Sequence, residues 1–271
     1  MIIKLNISYI QKQKKMNFEY VGEPLAIIVG KDNKVKNPKV LYVSDNKDGS
    51  VHHSFNSLVV QEGEKFQPKP NTKKERSVLY VTGASGSGKS FYTANYVAEF
   101  KRIFPKRDVY LLSSLSDDSS IDRIPGLKRI KLNDEFLNTE LSAEDFTKSL
   151  VIFDDTDCIT NKPMKLKVNA LLNSLLETGR HSQTFVVYTS HLATAGNDTK
   201  RILNESHSIT FFPASMGGRS LKYLLESYLG LDKCQIKKVK SLKSRWVTIL
   251  KSYPQIVISE KEAYTISNCD Q

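Results

Sequence analysis

The chain is poor in cysteine, with three in 271 residues. Cys158, Cys234 and Cys269 are too scattered for a C-x-x-C pair. That excludes a disulfide-framework mini-protein, a zinc ribbon and a thioredoxin motif. Free thiols would suit a reducing compartment. No run approaches the ~18 apolar residues of a membrane span. After Met1-Ile2-Ile3-Lys4-Leu5 the residues turn polar, so no secretory signal is expected. Acid is also scarce: 29 Asp+Glu against 40 Lys+Arg leave a formal charge of +11. This excess suits a polyanionic partner, although many soluble proteins are basic without one. Apolar residues are not scarce. At 39% hydrophobic and 25% charged the composition is ordinary for a globular protein, which excludes wholesale disorder. At about 150 residues per domain the length fits one large or two small domains.

The chain divides into an N-terminal β-rich segment with a linker, 1–76, and a larger unit, 77–271. Residues 1–16 carry four Lys and no acid, as a basic arm or first strand would. Leu25–Val29 and Val40–Val43 read as strands, the second ending in the turn cluster Ser44–Gly49. Residues 61–76, with Pro68, Pro70 and five Lys/Arg, read as the linker. From Ser77 onward, strand patterns alternate with helix patterns. Strands are expected at Val78–Thr82, Val109–Leu112, Leu150–Phe153, Phe185–Thr189 and Ile209–Phe212. Helices are expected over Ser90–Phe104, from Met164 to a Gly179 C-cap, near Thr199–Leu203 and over Ser220–Leu229. Alternation of this kind implies a mainly parallel sheet with crossover helices. Three further strands, near Arg245–Leu250, Gln255–Ser259 and Ala263–Ile266, form a C-terminal β-hairpin extension.

Gly83-Ala84-Ser85-Gly86-Ser87-Gly88-Lys89-Ser90 satisfies the phosphate-loop pattern G-x-x-x-x-G-K-[ST]. Its glycines allow backbone N–H groups to converge on a phosphate, and the following helix, opening at Ser90-Phe91, aims its positive end there. Lys89 is expected at the β/γ-phosphates and the Ser90 hydroxyl on Mg²⁺. The strand before and helix after supply the context the motif needs. Leu150-Val151-Ile152-Phe153-Asp154-Asp155 reads as a buried parallel strand delivering two carboxylates to the ligand-binding edge. Asp154 is placed to hold Mg²⁺ through water, and Asp155 to act as general base. A helix N-cap is the alternative use of either aspartate. A strand intervenes in sequence between the phosphate loop and this acidic strand, as in hydrolysing RecA-like and AAA-like NTPases. No D-x-x-G follows Asp154 and no N-K-x-D is present, which argues against a guanine-reading GTPase.

Thr178-Gly179-Arg180-His181 closes the long helix. Arg180 is a candidate arginine finger across a subunit interface, or a cation closing a helix C-terminus. Arg201 and Arg219 compete for the finger role. Ser190-His191, at the end of Phe185–Thr189, is a candidate sensor of the γ-phosphate. His52, His53 and His207 read as structural. Lys233–Lys251 holds seven Lys/Arg and no acid. Lys237, Lys238, Lys240 and Lys243 are candidate DNA-phosphate contacts, or a solvated face around a β-hairpin. The loops Ser113–Ser120 and Ala193–Lys200 are the other candidates.

Together these motifs, with Tyr188-Thr189-Ser190-His191 and the closing Ser244-Arg245-Trp246-Val247, resemble the poxvirus-type genome-packaging ATPases of large DNA viruses, in the FtsK–HerA superfamily of P-loop NTPases. The resemblance covers about residues 17–266. It implies a RecA-like α/β core, ATP and Mg²⁺ as cofactors, and a pentameric or hexameric ring that drives double-stranded DNA into a capsid. By motif match it makes Lys89 and Ser90 the nucleotide and metal contacts, Asp154 the metal carboxylate, Asp155 the base and Arg180 a finger acting in trans. It further implies capsid or portal-vertex partners, and a location in host cytoplasm, viral factory or virion. Two positions depart from the superfamily: Asp155 stands where Glu is common, and Ser190-His191 where a Gln sensor is common. A nucleotide-dependent assembly switch and a P-loop small-molecule kinase are the alternative functions. The kinase would require an arginine-bearing lid, and none is visible.

Overall fold

The computed structural model describes residues 14–30, 38–45 and 51–266. The basic arm expected over 1–16 lies outside the described residues except for 14–16, as does 46–49 of the expected turn. Among the described residues, five strands precede the phosphate loop's own: β1 (Lys15–Asn17), β2 (Glu23–Val29), β3 (Lys39–Ser44), β4 (Ser57–Val59) and β5 (Lys65–Pro68). Then come β6 (Val78–Thr82), α1 (Lys89–Ile103), β7 (Val109–Ser113), β8 (Leu127–Ile130), α2 (Asp134–Asn138) and β9 (Leu150–Asp154). The chain continues with α3 (Lys162–Thr178), β10 (Phe185–Ser190), α4 (Asn197–Glu205), β11 (Ser208–Phe211), α5 (Gly218–Tyr223) and α6 (Lys233–Ser241). It closes with β12 (Val247–Leu250), β13 (Ile256–Ser259) and β14 (Glu262–Thr265).

The large sheet has ten strands in the order β4-β14-β13-β12-β11-β6-β10-β9-β7-β8. Its run from β11 to β8 is parallel, and the strands from β12 to β4 are antiparallel. This is the α/β, RecA-like arrangement expected, because β10 separates β6 from the acidic β9 in the sheet. Successive residues of a strand face opposite sides, and both sides are buried here. Val78, Tyr80, Val151, Phe153, Val186 and Tyr188 pack with Met164, Val168, Leu171 and Leu175 of α3. Leu79, Val81, Leu150, Ile152, Phe185 and Val187 pack instead with Tyr92, Tyr96, Val97 and Phe100 of α1. The Asn161 side chain caps α3, accepting from the Met164 N–H. Gly179 ends α3 as expected, but at φ −59°, so the left-handed backbone is not its reason. Arg76 donates to the Leu175 and Leu176 carbonyls, and a Cβ on Gly179 would come within 2.8 Å of its Nη1.

Two stretches differ from expectation. Residues 61–76, read as a linker, contain β5, which completes a four-stranded sheet in the order β1-β3-β2-β5. Alternation drives it: Phe66 and Pro68 are buried while Lys65 and Gln67 are half-buried. This small sheet packs on the α1 side of the large one through Leu25, Ala26, Ile28 and Phe66. Lys233–Ser241, read within a hairpin, is the helix α6, opened by a capping box between Asp232 and Gln235. Ile236 and Val239 form its buried side. Strand β8, parallel to β7, and the short helix α2 fall where no element was expected. Cys158 is a free exposed thiol, and Cys269 lies outside the described residues.

His207 is structural, as expected. Its Nδ1 accepts the Val78 N–H at 2.9 Å, fixing the start of β6. Burial, with Lys74, Arg76 and Lys251 nearby, pushes its pKa down to about 4. The unfolded state therefore takes up a proton first. Stability from this group is present above pH ~6.5 and is lost as pH falls toward 4, by up to about 3 kcal/mol. Urea unfolding at pH 7 and pH 4.5 is expected to show this slope in the wild type and a shallower one in His207→Gln. Equal slopes would contradict it.

Candidate nucleotide site

The parallel register brings the functional residues to one edge. Thr82 pairs with Ser190 across β6 and β10, and Ser113 pairs with Asp154 across β7 and β9. The phosphate loop leaves β6 at that edge. Gly86 and Gly88 adopt φ of +74° and +111°, which Cβ-bearing residues rarely hold. Gly88 is the N-cap of α1 and offers no side-chain cap, so the first N–H groups of the helix remain for a ligand. Ser87 Oγ is buried without a partner. A cradle of free N–H groups, an unpaired hydroxyl and a lysine fits a nucleotide phosphate. Ala84, Ser85 and Ser90 occupy the loop as expected, Ser85 exposed, and Phe91 is half exposed on the first turn of α1.

Lys89 is 6% exposed and folds back on the loop, donating to the Gly83 carbonyl at 3.1 Å. Its Nζ lies 3.6 Å from Asp155 Oδ1 and 3.3 Å from His191 Nδ1. With Lys89 donating to Nδ1, His191 carries its proton on Nε2 and donates to Asp155 Oδ2 at 2.8 Å. Lysine, aspartate and histidine thus form one closed triad. Asp155 holds a left-handed φ of 48°, a conformation aspartate tolerates better than most residues, and this turns its carboxylate toward Lys89.

Asp154 lies deeper, at 1% exposure. Thr189 Oγ1 donates to its Oδ1 at 2.8 Å and Ser113 Oγ to its Oδ2 at 3.2 Å. Burial pushes the Asp154 pKa up, the adjacent Asp155 adds to the rise, and the two hydroxyls oppose it. Thr189 Oγ1 also accepts the Asp155 N–H at 3.0 Å, so one hydroxyl ties the Asp154 carboxylate to the Asp155 backbone. On sequence, Ser113 falls in a candidate DNA loop and Thr189 in a shared motif, and neither is assigned to Asp154. The signal was a polar residue ending an apolar strand. A buried carboxylate oriented by two hydroxyl donors can accept from the water shell of Mg²⁺.

The other candidates lie elsewhere. Ser190 Oγ donates to Asp157 Oδ2 at 2.6 Å, so of the expected sensor pair only His191 reaches the triad. Arg180 precedes β10, which runs about 20 Å toward the phosphate-loop edge at strand rise. It therefore stands at the opposite edge from its own subunit's loop. It is 73% exposed and its Nε pairs with Glu75 Oε2 at 2.6 Å. That guanidinium holds the Glu75 carboxyl below its usual range. Arg201 pairs with Glu177. Ser113 belongs to β7, and 197–200 to α4, so neither expected DNA loop is wholly irregular. Lys237, Lys238, Lys240 and Lys243 are exposed, the first three on α6. Lys238 Nζ sits 4.0 Å above the Tyr264 ring, so part of its role is packing.

One relative covers nearly the whole molecule. The "Uncharacterized protein V3" of Sputnik virophage is 40% identical over 254 residues, spanning 93% of this chain and 98% of its own. The chain belongs to the V3 family. Its structure is also similar to that of the genome-packaging NTPase B204 of Sulfolobus turreted icosahedral virus 2 in complex with ATP-γS. That pair shares 13% identity at TM-score 0.47, over 69% of this chain and 98% of B204. The pCW3 conjugation coupling protein TcpA with ATPγS gives 10% identity and TM-score 0.47, over 84% of this chain and 75% of that one. No protein-family model matches the chain. Among the described residues, no helix of this V3-family protein is long and apolar enough to cross a membrane.

Proposed function

We propose that this chain is an ATP-hydrolysing motor that moves double-stranded DNA, packaging a viral genome into a capsid. The observation that carries it is the triad. Asp155 is held against both Lys89 and His191 at the edge where the phosphate loop, Asp154 and the N-terminus of α1 meet. In this reading Gly83–Ser90 and Phe91 cradle the nucleotide, and Lys89 leaves Asp155 for the β/γ-phosphates. Asp155 is then free to take the proton of the attacking water, and His191 reports whether the γ-phosphate is present. Ser90 and Asp154 hold Mg²⁺, which neutralises phosphate charge when bound. Arg180 completes the site of a neighbouring subunit, which implies a homo-oligomeric ring. A V3-family relative encoded by a virophage and the likeness to a packaging NTPase support a viral setting, with capsid or portal-vertex proteins as partners.

A motor must grip DNA without reading sequence, through phosphates. The exposed lysines of α6 are the proposed grip. Neutralising Lys237, Lys238 and Lys240 together is expected to weaken duplex binding equally for all sequences. The slope of log affinity against log salt should fall by up to about 2.7, from three lost phosphate contacts. Filter binding across a salt series measures this, and an unchanged slope would remove α6 from the DNA path.

A further inference from the structure

Beside Gly88 opens a cleft of about 230 Å³ that the motifs do not describe. It is below the roughly 300 Å³ at which pockets for whole small molecules begin, and suits one heterocycle. Its aromatic walls come from Phe66 of β5, Phe91 of α1, Phe212 and Trp246. Trp246 is braced edge-on against Tyr92, ring centroids 5.3 Å apart. The polar lining comes from Lys65, Gln67, Asn95, Arg245 and Glu260.

Arg245 ties this cleft to the phosphate loop. Its Nε donates to the Ser87 carbonyl at 3.2 Å. A Cβ on Gly88 would lie 2.8 Å from its Nη2, so that glycine makes room for the guanidinium. Glu260 anchors the other end. Its Oε2 accepts the Arg245 N–H at 2.8 Å, and its carbonyl accepts the Phe66 N–H at 2.8 Å. Among the described residues no group donates to Glu260 Oε1. The cleft thus offers an aromatic slot, an unfilled carboxylate acceptor and a cation at the loop.

We propose that this cleft takes the nucleoside base of the bound nucleotide, an aminopurine, whose exocyclic amino group donates to Glu260. Arg245 then bridges base slot and phosphate loop as a specificity and positioning residue. The inference rests on the phosphate loop binding a nucleotide, and adds that β5 and the C-terminal extension are parts of that same site. The chain has a single tryptophan. Energy transfer from Trp246 to a ribose-labelled fluorescent ATP therefore reads binding at one place.

The test displaces that probe with ATP, GTP, ITP and inorganic tripolyphosphate, in wild type, Lys89→Ala, Arg245→Ala and Glu260→Ala. ATP is expected to displace it at least about tenfold better than tripolyphosphate, the effect of one stacked base. ITP, which lacks an exocyclic amino group, should fall behind the better of ATP and GTP. Preference for ATP assigns the 6-amino group, preference for GTP the 2-amino group, and either supports the aminopurine slot. Glu260→Ala should narrow the gap while leaving tripolyphosphate displacement intact, whereas Arg245→Ala, which also removes the bond to the Ser87 carbonyl, should weaken ATP and tripolyphosphate alike. Tripolyphosphate equal to ATP in the wild type, with displacement dependent on Lys89, overturns the base slot alone. Probe binding indifferent to Lys89→Ala and to tripolyphosphate overturns the phosphate-loop reading and this inference with it.

Discussion

Asp155→Asn is expected to leave nucleotide binding in place and to slow ATP hydrolysis by about 10²–10⁴-fold, the range of a positioned general base. The backbone geometry accommodates this substitution. Asparagine also tolerates the left-handed backbone that Asp155 adopts at φ 48°. Its single amide oxygen can replace only one of the two carboxylate oxygens, Oδ2 at 2.8 Å from His191 Nε2 or Oδ1 at 3.2 Å from the Thr189 hydroxyl. What it cannot do is take a proton from water. The buried Asp154, the Thr189 hydroxyl and the phosphate loop remain as they were. Steady-state turnover beside nucleotide titration separates the two effects. Turnover within a few-fold of wild type would remove Asp155 from the base role.

Arg180→Ala is expected to cost about 10³–10⁵-fold in turnover, the range of an arginine finger, again with nucleotide binding kept. Its own subunit gives it no phosphate to reach, because β10 carries the chain from Arg180 to the far edge of the sheet before Ser190 meets Thr82. Its only partner among the described residues is Glu75, and both side chains are exposed. An exposed pair of this kind adds little to stability, so the variant should fold normally. Mixing decides between a finger and a surface ion pair. Arg180→Ala subunits keep an intact phosphate loop, and Lys89→Ala subunits keep Arg180. If the arginine acts across an interface, the mixture recovers turnover that neither variant has alone. A mixture as inactive as its components would count against a finger.

Much of the site is readable along the chain because its parts are contiguous. Val78–Thr82, the glycine loop and α1 form one stretch, and Leu150–Asp155 carries its apolar run and its carboxylates together. α3 was legible from the spacing of Met164, Val168, Leu171, Leu172 and Leu175, and the closing strands from their β-branched runs. What escaped the sequence is contact across distance. Thr189 meets Asp154 from 35 residues away, Ser113 from 41, and Arg245 reaches Ser87 from 158. Short elements escaped as well. β5 hid because Pro68 and the flanking lysines look like a linker, although Phe66 is 1% exposed. α6 hid because only Ile236 and Val239 mark its buried side, too few to set a 3.6-residue period against the surrounding lysines.

The proposed base slot and the proposed DNA grip draw on neighbouring residues of the same C-terminal segment. Trp246 is buried against Tyr92 of α1 and the exposed Arg245 reaches the phosphate loop, while Lys237 and Lys240 are exposed on α6. A nucleotide held between β5, α1 and Arg245 would stiffen the junction from which α6 and β12 extend. That gives hydrolysis a short covalent route to the proposed grip.

The most direct measurement is steady-state ATP hydrolysis with and without long double-stranded DNA, with Lys89→Ala as the blank. The account predicts turnover that depends on Lys89, rises with duplex DNA and loses that rise as salt is added. Turnover that survives Lys89→Ala, or that ignores DNA at every salt concentration, would contradict a DNA-translocating ATPase.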